Sequence, residues 1–312
     1  MDSTLNKIVE KYRELGEDPE TYLKGLLHAK PITYWDYIEV DTLLSLQKPR
    51  THFKDESVFI MYHQVTELFL KMMLHELEQI VLEKEPSANY LEIKLDRLIK
   101  YTSLLINSFD IMRTGMDYED YNTFRYTLTP ASGFQCAQFR LIELHCTSLL
   151  NLESKSYTNQ LSTKADFMEC FDHIYWKDAG IDRKTGEKSL TLQLFEEKYL
   201  QKLTDTALTL RGNTLENKIK ALPHLPDPLK HKLRRFDHLY NVEWPLVHLH
   251  TAEHYLNSKG ENKAATGGSE WKKYLHPKYQ QRKFFPTLWT KHELKNWGTN
   301  VKTKCHGSIE HP

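Results

Sequence analysis

An all-α fold is what this sequence predicts, and three observations carry that expectation. Apolar residues recur at three- and four-residue steps through most of the chain, which is the helical period. The 312 residues hold only 12 glycines and 12 prolines, too few for the frequent turns of an all-β chain. Hydrophobic residues make up 40% and aromatics 12%, enough to build a sizeable core. The expected architecture is a single helical-bundle domain over residues 1–312, with a helical hairpin inserted at about 155–225.

The elements follow in order. Residues 4–15 read as a short amphipathic helix, and Tyr37 to Leu46 as a second, ended by Lys48-Pro49. The strongest signal runs from Asp55 to Glu83, where Val58, Phe59, Tyr62, Val65, Leu68 and Phe69 begin a stripe that reaches Ile80. Pro86 to Asn89 breaks it, and another helix follows from Tyr90 to Met112. Thr129-Pro130 should interrupt the chain, because a residue before proline avoids the helical region. A helix resumes from Phe134 to Leu152. Residues 153–190 are polar and mixed, with a turn at Lys184-Thr185-Gly186. Leu190 to Arg211 is helical, then Pro223, Pro226 and Pro228 mark a loop. Two separate helices are expected at 229–242 and 245–257, with Pro245 in the first turn of the second, where its missing N–H costs nothing. A polar loop, Asn257 to Ser269, and a partly regular, aromatic and basic tail from Trp271 complete the chain.

Charge and cysteine content narrow the function. Lys plus Arg and Asp plus Glu number 42 each, so no basic excess points to nucleic acid. No stretch approaches the roughly 18 apolar residues that span a bilayer. Cys136, Cys146, Cys170 and Cys305 form no CxxC pair and no zinc spacing. Free thiols in a reducing cytoplasm are expected.

Of the 16 histidines, two have unusual surroundings. His63 sits in VFIMYHQVTELFL, too apolar for a solvated face, with Phe59 on the same side of the helix. His248 sits in WPLVHLHTAEHYL, with Thr251, Ala252 and Tyr255 on its face, and small neighbours leave room for a flat ligand. A helical histidine is ordinarily a surface or satisfied core residue. One imidazole that ligates haem iron and one polar group across the ring are, however, the minimum of an oxygenase. Haem b leaves no linear signature, and the absence of CxxCH excludes covalent attachment by that motif. Arg125 suits a bidentate grip on a carboxylate, or an ordinary salt bridge. Pro130-Ala131-Ser132-Gly133-Phe134-Gln135 allows close backbone approach to a ring or propionate, or is a helix start capped by Ser132. Thr266-Gly267-Gly268-Ser269 has no P-loop lysine and fits a loop that orders over a substrate better than a nucleotide site.

Taken together, the segments resemble the tryptophan 2,3-dioxygenase family from about Ile32 to about Leu275. The resemblance is carried by Tyr34-Trp35-Asp36-Tyr37 with Leu43 to Gln47, by the His63-Gln64 helix with Glu67-Leu68, and by Phe124-Arg125 with Pro130 to Gln135. It implies a helical, haem b-dependent homotetramer that opens the indole ring of L-tryptophan to N-formyl-L-kynurenine. The reaction implied needs ferrous iron and O2, and both oxygen atoms end in the product. By the same resemblance His248 is the proximal iron ligand, and His63 the distal histidine that hydrogen-bonds the indole N–H. Phe59 and Tyr121 line the pocket, Arg125 binds the substrate carboxylate, and Thr266 contacts its ammonium and carboxylate. Ser132 and Trp244 adjoin the haem. Tyr34, Tyr37 and Ile38 match a segment, about 1–45, that the family lends to a neighbouring subunit's pocket. The chain departs from the pattern in three places. Pro245 stands where the family has arginine, the lid reads Ser269-Glu270-Trp271 after its glycines, and the stretch from His248 to Thr266 is about four residues longer. The competing readings are a related haem oxygenase acting on another indole or aromatic amino acid, and a non-catalytic haem-binding or ligand-binding helical protein.

Overall fold

The apolar run from Val58 to Ile80 becomes α5, Asp55–Leu82, whose inner face buries Leu70, Met73, Leu74, Leu77 and Ile80. The computed structural model describes residues 2–154, 167–181, 185–257, 272 and 275–299. Among these residues the fold is an all-α helical bundle. Its β pairing amounts to two isolated antiparallel bridges, Glu153 with Ile174 and Ile181 with Lys188. No helix among the described residues is long and apolar enough to cross a membrane.

Contacts divide the chain into two compact units, Met1–Lys48 and Pro49–Pro312. The first holds α1 (Asp2–Glu14), α2 (Pro19–His28), α3 (Tyr34–Ile38) and α4 (Val40–Leu44). α2 is not among the helices that the apolar period predicts, although its start carries a plain signal. Asp18 accepts the Glu20 and Thr21 N–H groups at 3.2 Å, and Pro19 opens the helix. The single helix expected over Tyr37 to Leu46 is instead two short ones. Glu39 divides them in the left-handed region at φ 56°, which costs a non-glycine residue about 1–2 kcal/mol. No side chain of α2, α3 or α4 is buried.

In the second unit α5 packs on α6 (Ala88–Thr114) and on α8 (Ala137–Cys146). α6 also carries α13 (Asp227–His238) and α14 (Trp244–Asn257), and α11 (Leu190–Thr209) lies on α8. Between α6 and α8 come α7 (Tyr118–Phe124) and a 3-10 turn, Arg125–Leu128, that stops before Thr129-Pro130, as the proline rule requires. Three shorter helices, α9 (Phe167–Asp172), α10 (Tyr175–Ala179) and α12 (Leu215–Lys220), complete the region of the expected insertion that is described. Of the turn expected at Lys184 to Gly186, Lys184 lies outside the described residues.

Two boundaries differ from expectation for tertiary reasons. The helix expected from Phe134 to Leu152 is only α8, flanked by 3-10 turns at Gly133–Gln135 and Leu149–Asn151. Thr147 leaves the helix in an extended conformation, and its hydroxyl donates to Glu216 at 2.9 Å, an acceptor 69 residues away that local patterning cannot show. The two helices expected at 229–242 and 245–257 are one continuous run from Asp227 to Asn257, joined by a π turn at Leu239–Glu243. Pro245 therefore sits inside a helix rather than opening one.

The aromatic tail is tied down by a buried carboxylate. Asp237 on α13 accepts the Phe284 and Phe285 N–H groups at 2.8 and 3.2 Å, the Trp289 indole N–H at 2.9 Å and the Asn241 amide at 2.8 Å. Arg282 donates to buried Glu143 on α8 at 2.7 Å, and Tyr175 donates to the same carboxylate at 2.7 Å.

α5 and α6 are also joined by charge. Glu76, 4% exposed, accepts from Lys94 at 2.7 Å and from Arg97 at 3.0 and 3.2 Å. Burial alone would raise its pKa, but these bonds outweigh burial and hold the carboxyl below its ordinary value. A depressed carboxylate contributes stability above its unfolded pKa, and loses it as pH falls through the folded one. Urea unfolding should therefore show stability declining as pH falls below about 4.5. Glu76→Gln should flatten that decline and cost about 3 kcal/mol at pH 7, since it leaves Lys94 buried without its counter-charge. An unchanged acid slope in the variant would show that Glu76 does not govern it.

Candidate active site

Three helices bring the two singled-out histidines to one region. Phe59 and His63, four residues apart on α5, have ring centroids 4.1 Å apart. His63 Nδ1 lies 2.7 Å from the Phe59 carbonyl oxygen. A carbonyl can only accept, so Nδ1 carries the proton and Nε2 is left as an acceptor. Burial pushes the His63 pKa down, partly opposed by that bond and by Glu67, so the ring is neutral at pH 7. Tyr62 meets His63 edge-on at 5.4 Å and Phe109 of α6 at 6.0 Å, and Phe109 in turn lies 5.4 Å from the His248 ring on α14.

His248 combines two properties that seldom coincide. Its surface is accessible, yet burial drives its pKa down to about 4, with the nearby charge of His63 adding to the effect. Among the described residues, neither ring nitrogen of His248 has a hydrogen-bond partner.

α7 closes the region from the side. Tyr121 lies 6.0 Å from Phe59 and 4.1 Å from Tyr255, which stands seven residues after His248 on α14. The Tyr255 hydroxyl donates to the Met112 carbonyl of α6. Burial, with help from Tyr121 and two carboxylates, raises its pKa to about 12, so it remains a donor. Burial also raises the Tyr121 pKa, against the opposing charge of Arg125, which places the guanidinium within electrostatic reach. Arg125 is 3% exposed and begins the 3-10 turn after α7.

Phe59, His63 and Tyr121 thus lie together, His248 adjoins them by way of Tyr62 and Phe109, and Arg125 follows Tyr121 by four residues. Ser132 accepts the Phe134 N–H at 3.3 Å in a capping box with Gln135, the helix-start role that its sequence left open. Trp244 is packed at 5.1 Å on Phe139 and 5.2 Å on Tyr240 in the main core. Tyr34, Tyr37 and Ile38 lie exposed in the first unit, at 73%, 74% and 43%. Thr266, with Gly267, Gly268 and Ser269, lies outside the described residues. Phe109, which bridges the two histidine helices, carried no signal in the sequence beyond one more apolar position on a helix. A separate cavity of about 590 Å³ is lined by Gln135, Leu194, Phe195, Glu197, Lys198 and Tyr199, away from both histidines.

The family model for tryptophan 2,3-dioxygenase matches residues 25–200, more than half of the chain. The chain belongs to the tryptophan 2,3-dioxygenase family. A tryptophan 2,3-dioxygenase of Bacillus cereus (strain ATCC 10987 / NRS 248) is 31% identical over 282 residues, covering 88% of this chain and 92% of its own length. One from Bacillus thuringiensis subsp. konkukian (strain 97-27) is 28% identical over 294 residues, with the same coverage. One from Ruegeria sp. (strain TM1040) is 38% identical over 117 residues, covering 37% of this chain and 41% of its own. Membership supports a dioxygenase-like oxidoreductase role for the chain.

The residues present fit the haem on which the tryptophan 2,3-dioxygenase family depends. Among the described residues no three His, Cys, Asp or Glu side chains group to hold a bare metal ion. A haem brings four nitrogen ligands of its own and asks the protein for one axial imidazole. That imidazole must be neutral to ligate. His248, with its pKa near 4 and no competing hydrogen bond among the described residues, meets the requirement.

Proposed function

We propose that the chain is a haem b-dependent dioxygenase that opens the indole ring of L-tryptophan with O2, giving N-formyl-L-kynurenine. The observation that carries this reading is the approach of two neutral imidazoles from either side of Phe109, His248 being accessible and without a hydrogen-bond partner among the described residues. Haem, held by His248, would supply a ferrous centre at which O2 is activated toward the indole C2=C3 bond. The protein's own residues do the rest. His63 offers Nε2 to the indole N–H, which fixes the face and the depth of the ring without removing a proton. Phe59 and Tyr121 flank that position with apolar surface and exclude water. Arg125 engages the carboxylate, and Thr266 the ammonium and carboxylate. Much of the rate then comes from orientation, because a substrate held at both ends presents its reacting bond in one geometry. Ser132 and Trp244 are assigned to the haem side by resemblance alone.

The working unit is a homotetramer in the cytoplasm. The first unit, with its exposed Tyr34, Tyr37 and Ile38, is the segment that completes a neighbour's pocket. On α5, Met61, Val65, Leu68 and Met72 form an exposed apolar stripe at four-three-four spacing, the pattern that buries against another helix. A second copy of this chain is its occupant. The double variant Val65→Glu with Leu68→Glu should therefore sediment as a smaller species than wild type; an unchanged sedimentation coefficient would exclude that stripe from the assembly.

The test of function is oxygen uptake by reduced, haem-loaded protein given L-tryptophan. One O2 consumed per N-formyl-kynurenine formed supports the proposal. Uptake with another indole or aromatic amino acid but not tryptophan would move the substrate assignment. Tight tryptophan binding with no uptake would make the chain a ligand-binding protein.

A further inference from the structure

Pro245 is buried inside the helical run from Asp227 to Asn257. A proline in a helix interior has no N–H for the carbonyl four residues back, and its ring collides with that carbonyl, here Asn241's. The chain accommodates it by widening. Through the π turn at Leu239–Glu243 the Trp244 N–H bonds the Leu239 carbonyl, five residues back. A side-chain pair records the same widening. His238 Nδ1 lies 2.9 Å from a Glu243 carboxylate oxygen, five residues on. In an α-helix the neighbours on one face are three and four apart, not five.

The extra residue changes where His248 points. α13 and the π turn bury Leu229, Leu233, Phe236 and Tyr240 on one face. Counted from Leu229 at about 100° per residue, these four stay within about 40° of one line. In an uninterrupted α-helix His248 would stand about 100° off that line; with one residue absorbed by the π turn it falls on the line. Tyr255, seven residues further, falls within about 20° of it, and Tyr255 is the residue whose hydroxyl reaches α6 at Met112. The same face meets Phe109 of α6 through the His248 ring.

We propose that Pro245 is the positioning residue of the proximal side: by enforcing the π turn it rotates His248 onto the face that looks toward His63. This rests on His248 being the axial ligand. In Pro245→Ala the restored N–H can bond Asn241, the π turn can close into α-helix, and His248 turns away. The test compares wild type, P245A and H248A by haem b titration and ferrous visible spectrum, and by amide hydrogen exchange of the haem-free proteins over 239–245. P245A should remain folded, with a thermal midpoint somewhat below wild type's, because closing the π turn carries Tyr255 off Met112 along with His248. Its haem affinity should fall about tenfold or more, the scale on which misorienting a ligand acts. Its spectrum should lose the single-imidazole signature and regain it when free imidazole is added. Pro245→Gln restores the same N–H with a different side chain and should behave alike, which guards against a local packing defect. Wild-type affinity and spectrum in both variants would overturn the proposal. A wild-type protein that takes up no haem would instead overturn the reading on which it rests.

Discussion

His248→Ala should give a folded protein that no longer retains haem. Among the described residues the ring makes no hydrogen bond on which the core relies. Its described contact is with Phe109 at 5.4 Å, and among the described residues its nitrogens bond to nothing. Removing it should therefore cost little stability while deleting the axial ligand. The loss in haem affinity should exceed the roughly 10–100-fold that follows from losing a ligand's own hydrogen-bond partner. Thermal unfolding of the haem-free variant within a few degrees of wild type, together with an absent or altered ferrous spectrum, is the expected pair of results. A variant with normal haem content and an unchanged five-coordinate ferrous spectrum would remove His248 from the iron. His250 and His254 lie on the same helix, so single alanine variants there serve as controls and should keep their haem.

Arg125→Ala should raise the KM for tryptophan far more than it lowers kcat. The guanidinium is 3% exposed, so it and a bound carboxylate would interact largely shielded from water. Removing one partner of such a pair costs about 2–5 kcal/mol. That corresponds to a loss in kcat/KM of roughly thirty- to several-thousand-fold. Arg125→Lys should recover only part of the loss, because a point charge cannot reproduce two parallel N–H bonds to a planar carboxylate. A tryptophan derivative lacking the carboxylate should be turned over about equally by wild type and R125A. An unchanged KM for tryptophan in R125A would leave the carboxylate without its assigned partner.

How much was legible in the sequence depended on whether the deciding contact was local. The long stripe on α5 and the break at Thr129-Pro130 follow from periodicity and from proline's effect on its predecessor, both readable within a few residues. The His63 environment was also local, since Phe59 lies one turn away on the same face. The end of α8 at Thr147 was not legible, because Glu216, which draws that hydroxyl, arrives from a distant helix. Nor was the anchoring of the tail by Asp237, whose partners lie 47 to 52 residues further on apart from Asn241. Pro245 was the instructive case. Read alone, it marks a helix start; in context, two well-packed helices share one axis across it, and the mismatch is absorbed as a π turn. Packing of Phe236 and Tyr240 before the proline and of Tyr255 after it keeps the run continuous, so proline's local effect is expressed as the π turn and not as a helix start. The convergence of α5, α7 and α14 around α6 was legible only through resemblance, because no spacing within one helix reports its neighbours.

The most direct test of the central claim is a haem b titration of the purified protein, reduced and read by its visible spectrum before and after L-tryptophan is added. The account predicts one haem per chain, a five-coordinate ferrous spectrum with a single axial imidazole, and a spectral shift when tryptophan binds. A six-coordinate spectrum with both His63 and His248 on the iron, or no stoichiometric uptake at all, would contradict it.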